Sequence, residues 1–156
     1  MSGWRRSAKA TLGGSAAARE ALRVMLGQPP GPAGARGSVV LMSSVLALSP
    51  TPALFTTHAY VAAKAATIGL VRAMAAYYGE HGIRVNALAP SLVRTPMSAR
   101  AAADAASVAF AERRQPLTGG FLDPADVTQA AVYLCSDESR AVTGQVLAVD
   151  GGWTVT

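Results

Sequence analysis

The chain has 156 residues, 51% hydrophobic and 15% charged, enough apolar material for one domain with a sizeable core and too little charge for extensive disorder. Its net charge of +5 comes from 14 basic and 9 acidic residues, but the basic ones are scattered and not interleaved with aromatics, so a nucleic-acid surface is not expected. One cysteine, Cys135, excludes an internal disulfide and, lying in an apolar helical pattern, reads as a core thiol suited to a reducing cytoplasm. No uninterrupted run of about 18 apolar residues occurs, so no membrane span is expected. Arg5, Arg6 and Lys9 are not followed by an apolar stretch, so neither is a secretory leader.

Residues 4–26 read as a helix with an apolar face of Ala16, Ala17, Ala18, Ala21, Leu22, Met25 and Leu26. Gly13-Gly14 marks either a break or a close backbone approach. Residues 27–37 are expected to be a mobile surface loop. Three prolines remove backbone donors that a phosphate cradle needs, and the loop precedes a strand where a dinucleotide loop would follow one. Ser38 to Ser43 is a strand without polar alternation, as in a parallel sheet covered on both faces, and Ser44 follows at its carboxyl end. The loop from Leu46 to His58, with two prolines and Phe55, is expected to wall a substrate site. His58 is either a base or a hydrogen-bonding surface residue.

A helix follows over 57–78, capped by Thr56 or Thr57 and apolar nearly all round, so it is expected to be buried on more than one side. Gly79 and Gly82 end it. Ile83 to Ala89 is a second buried strand, with Asn86 expected to be held by a structural hydrogen bond. Residues 96–118 include an Ala-rich helical piece. Asp123-Pro124 opens a helix with an expected buried stripe of Val127, Ala130, Ala131, Tyr133, Leu134 and Cys135. Gln145 to Val149 is a third strand, before Asp150-Gly151-Gly152.

Tyr60 and Lys64, in Tyr60-Val-Ala-Ala-Lys64, fall four apart on the second helix and share a face. A free phenol is a poor acid–base group at neutral pH, with a reference pKa of ~10. A nearby ammonium favours the phenolate. A serine hydroxyl close to both could hold a carbonyl or alcohol oxygen, which points to redox chemistry at a C–O bond. Taken alone, such a Tyr/Lys pair is more often a packing pair.

Its context changes that balance. Gly37-Ser-Val-Val-Leu-Met-Ser-Ser44, the Tyr60/Lys64 helix, Gly82-Ile-Arg-Val-Asn-Ala-Leu-Ala-Pro90 and Val142-Thr-Gly-Gln-Val-Leu-Ala-Val-Asp-Gly-Gly152 occur in this order. The ordered set resembles the C-terminal half of the short-chain dehydrogenase/reductase family, from about Trp4 to Thr156. The resemblance implies a partial doubly wound, Rossmann-like α/β fold of about three parallel strands with helices on both faces. It makes Ser44, Tyr60 and Lys64 the catalytic set. Ser43 and Ser49 are rivals to Ser44 on spacing, since the loop to Tyr60 is a few residues longer than usual. Tyr60, Lys64, Pro90, Val93 and Thr95 would contact NAD or NADP, Lys64 at the ribose hydroxyls, and Val93 (through its backbone) with Thr95 at the carboxamide. Ser91 replaces the family's usual glycine, which restricts the turn. Residues 92–118 become a substrate flap, and helix 57–78 a common dimer contact. No metal ligands are implied. Trp4 and Gly14 fit the frame that precedes the first of these strands, placing Thr11 where the family has an asparagine that orders a relay water. Threonine lacks the amide's paired donor and acceptor.

The family's opening strand and Thr-Gly-x-x-x-Gly-x-Gly fingerprint are not in this sequence. The nicotinamide half-site is therefore expected without the adenosine half-site, and the chain is expected to be truncated. Strand 38–43 is expected to present an open edge, and stability to be marginal unless a partner covers it. Two functions follow: an NAD(P)-dependent oxidoreductase acting on a small-molecule carbonyl or secondary alcohol, possibly inactive alone, or a non-catalytic remnant that pairs through helix 57–78 as a homo-oligomer.

Overall fold

The computed structural model describes residues 2–51 and 58–156, with the side chains of residues 2–13 and of residue 32 outside the described set. The expected caps Thr56 and Thr57, and Phe55, also lie outside it. Three strands, β1 (Gly37–Met42), β2 (Ile83–Pro90) and β3 (Val146–Val149), form one parallel sheet in the order β1-β2-β3. The register runs from Gly37↔Ile83 to Met42↔Leu88, and from Ala87↔Val146 to Pro90↔Val149. Among the described residues, five α-helices accompany the sheet: α1 (Ser2–Gly27), α2 (His58–Tyr78), α3 (Ala99–Ala102), α4 (Ala105–Arg114) and α5 (Pro124–Cys135).

Strand side chains alternate between faces, and the register preserves odd and even positions between β1 and β2 and exchanges them between β2 and β3. The odd positions Val39, Ile83, Val85 and Ala87 pack with Ala18 and Leu22 of α1 and with Val71, Met74 and Ala75 of α2. The even positions meet α5: the hydroxyl of Ser38 and the guanidinium of Arg84 both donate to the carbonyl of Leu134, at 2.7 and 2.8 Å. Both faces of β2 are thus covered, which explains its apolar, non-alternating sequence. Asn86 is fully buried, donating to the carbonyl of Val142 at 2.9 Å and accepting from the amide of Gln145 at 3.0 Å, so it ties β2 to the turn before β3.

Several expectations change. α1 runs unbroken through Gly14, where an added Cβ would meet nothing within 4 Å, so the glycine marks neither a break nor a close approach. Its buried face is Ala18 and Leu22, with Met25 partly covered, while Leu26 is exposed. α2 is buried on one side only, through Ile68, Val71, Met74 and Ala75; its opposite face, with Ala62, Ala65, Ala66, Ala73 and Ala76, is exposed. By length and composition alone this helix could cross a membrane, although its buried stripe is committed to the sheet.

Cys135 is exposed and not a core thiol. On α5 only Leu134 is fully buried, because Val127, Ala130, Ala131 and Leu134 follow the i, i+3, i+4, i+7 stripe and Tyr133 and Cys135 fall outside it.

Glycine is required at Gly82. Its φ is +72°, and an added Cβ would lie 2.0 Å from the carbonyl oxygen of Gly34. Loop 27–37 is pinned there: the amide of Arg36 donates to the carbonyl of Gly82, and its guanidinium to the carbonyls of Gln28 and His81.

Asn86→Ala removes the buried amide that pairs the part-buried carbonyl of Val142 and amide of Gln145, each loss worth about 1–3 kcal/mol. Urea denaturation is expected to show a loss of at least about 2 kcal/mol relative to wild type. An unchanged midpoint would contradict this role for Asn86.

Candidate active site

Ligands of open parallel sheets bind beyond the carboxyl ends of the strands. Here those ends are Ser43-Ser44 after β1 and Ser91 to Thr95 after β2. Two reciprocal bonds join β1 to α2. The hydroxyl of Ser43 donates to the carbonyl of Lys64 at 2.9 Å, and the ammonium of Lys64 donates to the carbonyl of Met42 at 2.9 Å. The same ammonium lies 5.6 Å from the centre of the Tyr60 ring, a cation–π distance. Burial holds the pKa of Lys64 below the ordinary lysine value. The Tyr60 hydroxyl has no hydrogen-bond partner among the described residues.

Ser44 is buried next to Ser43 and caps the short turn Val45–Ala47, its oxygen accepting from the amide of Leu46 at 3.3 Å. That turn packs against α2. Hydrogen bonding separates Ser43 from the other two serines: it spends its proton on Lys64. Ser49 accepts from the guanidinium of Arg114 at 3.2 Å and Ser44 from the amide of Leu46, and neither proton has a taker among the described residues. His58 is exposed at the first position of α2.

Beyond β2, Val93 forms a parallel bridge with Leu122. The amide of Leu122 donates to Leu92 and that of Arg94 donates to Leu122, both at 2.9 Å. These bonds run through Leu122, so the backbone groups of Val93 face the other way. The Val93 carbonyl accepts from the hydroxyl of Ser98, and its N–H makes no hydrogen bond among the described residues. Thr95 caps the turn Pro96–Ser98 in a capping box with Ser98. Ser91 keeps a negative φ, so the turn tolerates a side chain; its hydroxyl oxygen is buried without a partner.

The family model described as Enoyl-(Acyl carrier protein) reductase matches residues 2–154. A 2,5-dichloro-2,5-cyclohexadiene-1,4-diol dehydrogenase of Sphingobium indicum is 47% identical over 123 residues, covering 78% of this chain and 47% of that protein. A short-chain type dehydrogenase/reductase structure from Mycobacterium ulcerans superposes with a TM-score of 0.85 at 30% identity, covering 97% of this chain and 52% of that one. A gluconate 5-dehydrogenase of Burkholderia cenocepacia, solved with NADP and tartrate, gives a TM-score of 0.76 at 30% identity, over 86% of this chain and 49% of that one.

The chain belongs to the short-chain dehydrogenase/reductase family. It spans about half the length of the curated relatives it matches.

The residues present suit the nicotinamide side of a short-chain dehydrogenase/reductase. Among the described residues, Val93 offers a free backbone donor, Ser91 a buried hydroxyl without a partner, and Tyr60 an uncommitted phenol. Thr11 lies on α1, but its side chain is outside the described residues, so its place in a relay is not described.

Two groups of contacts gave no sequence signal. Trp153 is buried, donates to the carbonyl of Ser49 at 3.3 Å, and lies under the guanidinium of Arg114 at 5.4 Å, fastening the loop after Ser44 to the C-terminal segment. Gln115 binds the loop after β2, 23 positions away in sequence. Neither contact leaves a local pattern that periodicity could detect.

The depressed pKa of Lys64 sets a pH dependence. Between the folded value and the unfolded value of ~10.4, the unfolded chain binds more protons, so stability rises with pH across that window. Relative to Lys64→Met, the wild-type chain is expected to gain stability as pH climbs from neutrality toward ~10.4, measured by urea denaturation at successive pH values. A difference that stays flat with pH would contradict the burial of this ammonium.

Proposed function

We propose that the chain performs the chemical half of a short-chain dehydrogenase/reductase reaction, interconverting a small carbonyl compound and its secondary alcohol. The observation that carries this proposal is the Lys64 ammonium, partly desolvated, bonded to Met42 and set against the Tyr60 ring. Tyr60 acts as the general acid or base at the substrate oxygen. Lys64 sets a positive charge beside the Tyr60 ring and is the group suited to the nicotinamide ribose hydroxyls. Ser44, with its proton uncommitted, donates a hydrogen bond to the same substrate oxygen. Val93 and Thr95, following Pro90, are the residues suited to the carboxamide of NAD or NADP. When bound, that nucleotide supplies or accepts the hydride at the carbon of the C–O bond.

Residues 92–118 form the substrate flap in this proposal. The exposed free thiol of Cys135 suits a reducing compartment, in keeping with a cytoplasmic location. A second reading, a subunit that self-associates through α2, is favoured by the exposed small-residue face of that helix, where an added Cβ at Gly69 would meet nothing within 4 Å.

Titration with NADH and NADPH, followed by fluorescence, tests the enzymatic proposal. Binding is expected in both wild type and Tyr60→Phe, with turnover of a carbonyl substrate falling about 10²-fold or more in the variant, the usual scale of acid–base catalysis. No binding at millimolar nucleotide would reject it. Light scattering that shows an oligomer without turnover would favour the second reading.

A further inference from the structure

We infer that Gln115 is a positioning residue for the cofactor-side loop, holding residues 92–95 so that the backbone N–H of Val93 is presented outward. This inference rests on the nicotinamide proposal above. Gln115 follows the last residue of α4 and is fully buried, at 0% exposure. Its side-chain oxygen accepts from the amide of Leu92 at 3.2 Å. Its side-chain nitrogen donates to the carbonyl of Leu92 at 3.2 Å and to that of Gly120 at 2.8 Å. An N–H on one side and two carbonyls on the other fix the orientation of the amide, since the flipped form would face like with like.

The amide therefore pairs with Leu92 as a neighbouring strand would, by one donor and one acceptor. Leu122 also binds Leu92 and Arg94 through its own backbone. Leu92 is thus held by two partners, and Val93 has its carbonyl tied to Ser98 and its N–H without a partner among the described residues.

The site is built around this side chain. The backbone carbonyl of Gln115 accepts from the amides of Thr118 and Gly120, closing the turn that carries the Gly120 acceptor. The Asp150-Gly151-Gly152 turn lies directly against it: an added Cβ at Gly151 would sit 3.0 Å from Cβ of Gln115, and the Gly151 carbonyl accepts from the amide of Leu117 at 3.0 Å. A core-filling residue of similar size would bury the same volume without these three hydrogen bonds. A leucine there would leave the Leu92 N–H without its partner and take one of two bonds from each of the Leu92 and Gly120 carbonyls.

The test compares wild type, Gln115→Leu and, as a distant destabilised control, Asn86→Ala, all in the full chain. Amide hydrogen exchange reports the loop, and fluorescence titration with NADH reports its consequence. In Gln115→Leu the Leu92 amide is expected to exchange about tenfold faster or more while the Gly144 amide, bonded to Val85, holds. Affinity for NADH is expected to fall about tenfold. Asn86→Ala, although less stable, is expected to keep wild-type NADH affinity.

Unchanged Leu92 exchange, or equal acceleration at Leu92 and Gly144, would overturn the inference. So would faster Leu92 exchange with NADH affinity intact, or an equal affinity loss in Asn86→Ala. Wild-type chain that binds no NADH would instead defeat the functional proposal, and the Leu92 exchange would still decide whether Gln115 holds the loop.

Discussion

The ammonium of Lys64 on the carbonyl of Met42, answered by the hydroxyl of Ser43 on the carbonyl of Lys64, is the joint on which the candidate site depends. One bond alone would tether a flexible side chain. Two bonds running in opposite directions fix α2 to the end of β1 at the level where Ser44 emerges. They also determine what Lys64 can do. An ammonium drawn off the surface to reach a backbone carbonyl loses part of its hydration, which depresses its pKa, and the carbonyl returns only part of that loss. The cost is understandable if the positive charge is wanted beside Tyr60.

The same joint concerns the sheet edge. The amide of Ser43 points to β2, where it binds Leu88 at 2.7 Å. Backbone groups alternate along a strand, so those of Met42 face the opposite side, where no strand follows among the described residues. Lys64 thus satisfies one carbonyl of an edge strand, and a charged group on an edge also discourages indiscriminate pairing. Met42 itself is 50% exposed there.

How much was legible in the sequence depended on the range of the interaction. The strands were legible because burial on both faces writes an unbroken apolar run, and Asn86 stood out within one. The Tyr60/Lys64 face was legible because four residues make about one helical turn. The exposure of Cys135 was misjudged although its helix was found, because a stripe of Val127, Ala130, Ala131 and Leu134 already fills the buried arc. The outer face of α2 is exposed in the single chain, and its alanines suit a packed surface and a solvated helix equally. The preference for Ser44 over Ser43 and Ser49 comes from position; the hydrogen bonds set apart only Ser43, whose proton is spent on Lys64. Gln115 was illegible, since its partners are a backbone segment 23 positions earlier and a turn that its own backbone closes.

The joint can be observed without any ligand, because the chain contains only two lysines, Lys9 and Lys64. Lysine-selective nitrogen-15 labelling should give two ammonium signals that Lys64→Met assigns at once. If the account is right, the Lys64 signal shows slowed proton exchange and a through-hydrogen-bond coupling to the carbonyl carbon of Met42. Two signals that exchange equally fast, with no coupling to Met42, would contradict it.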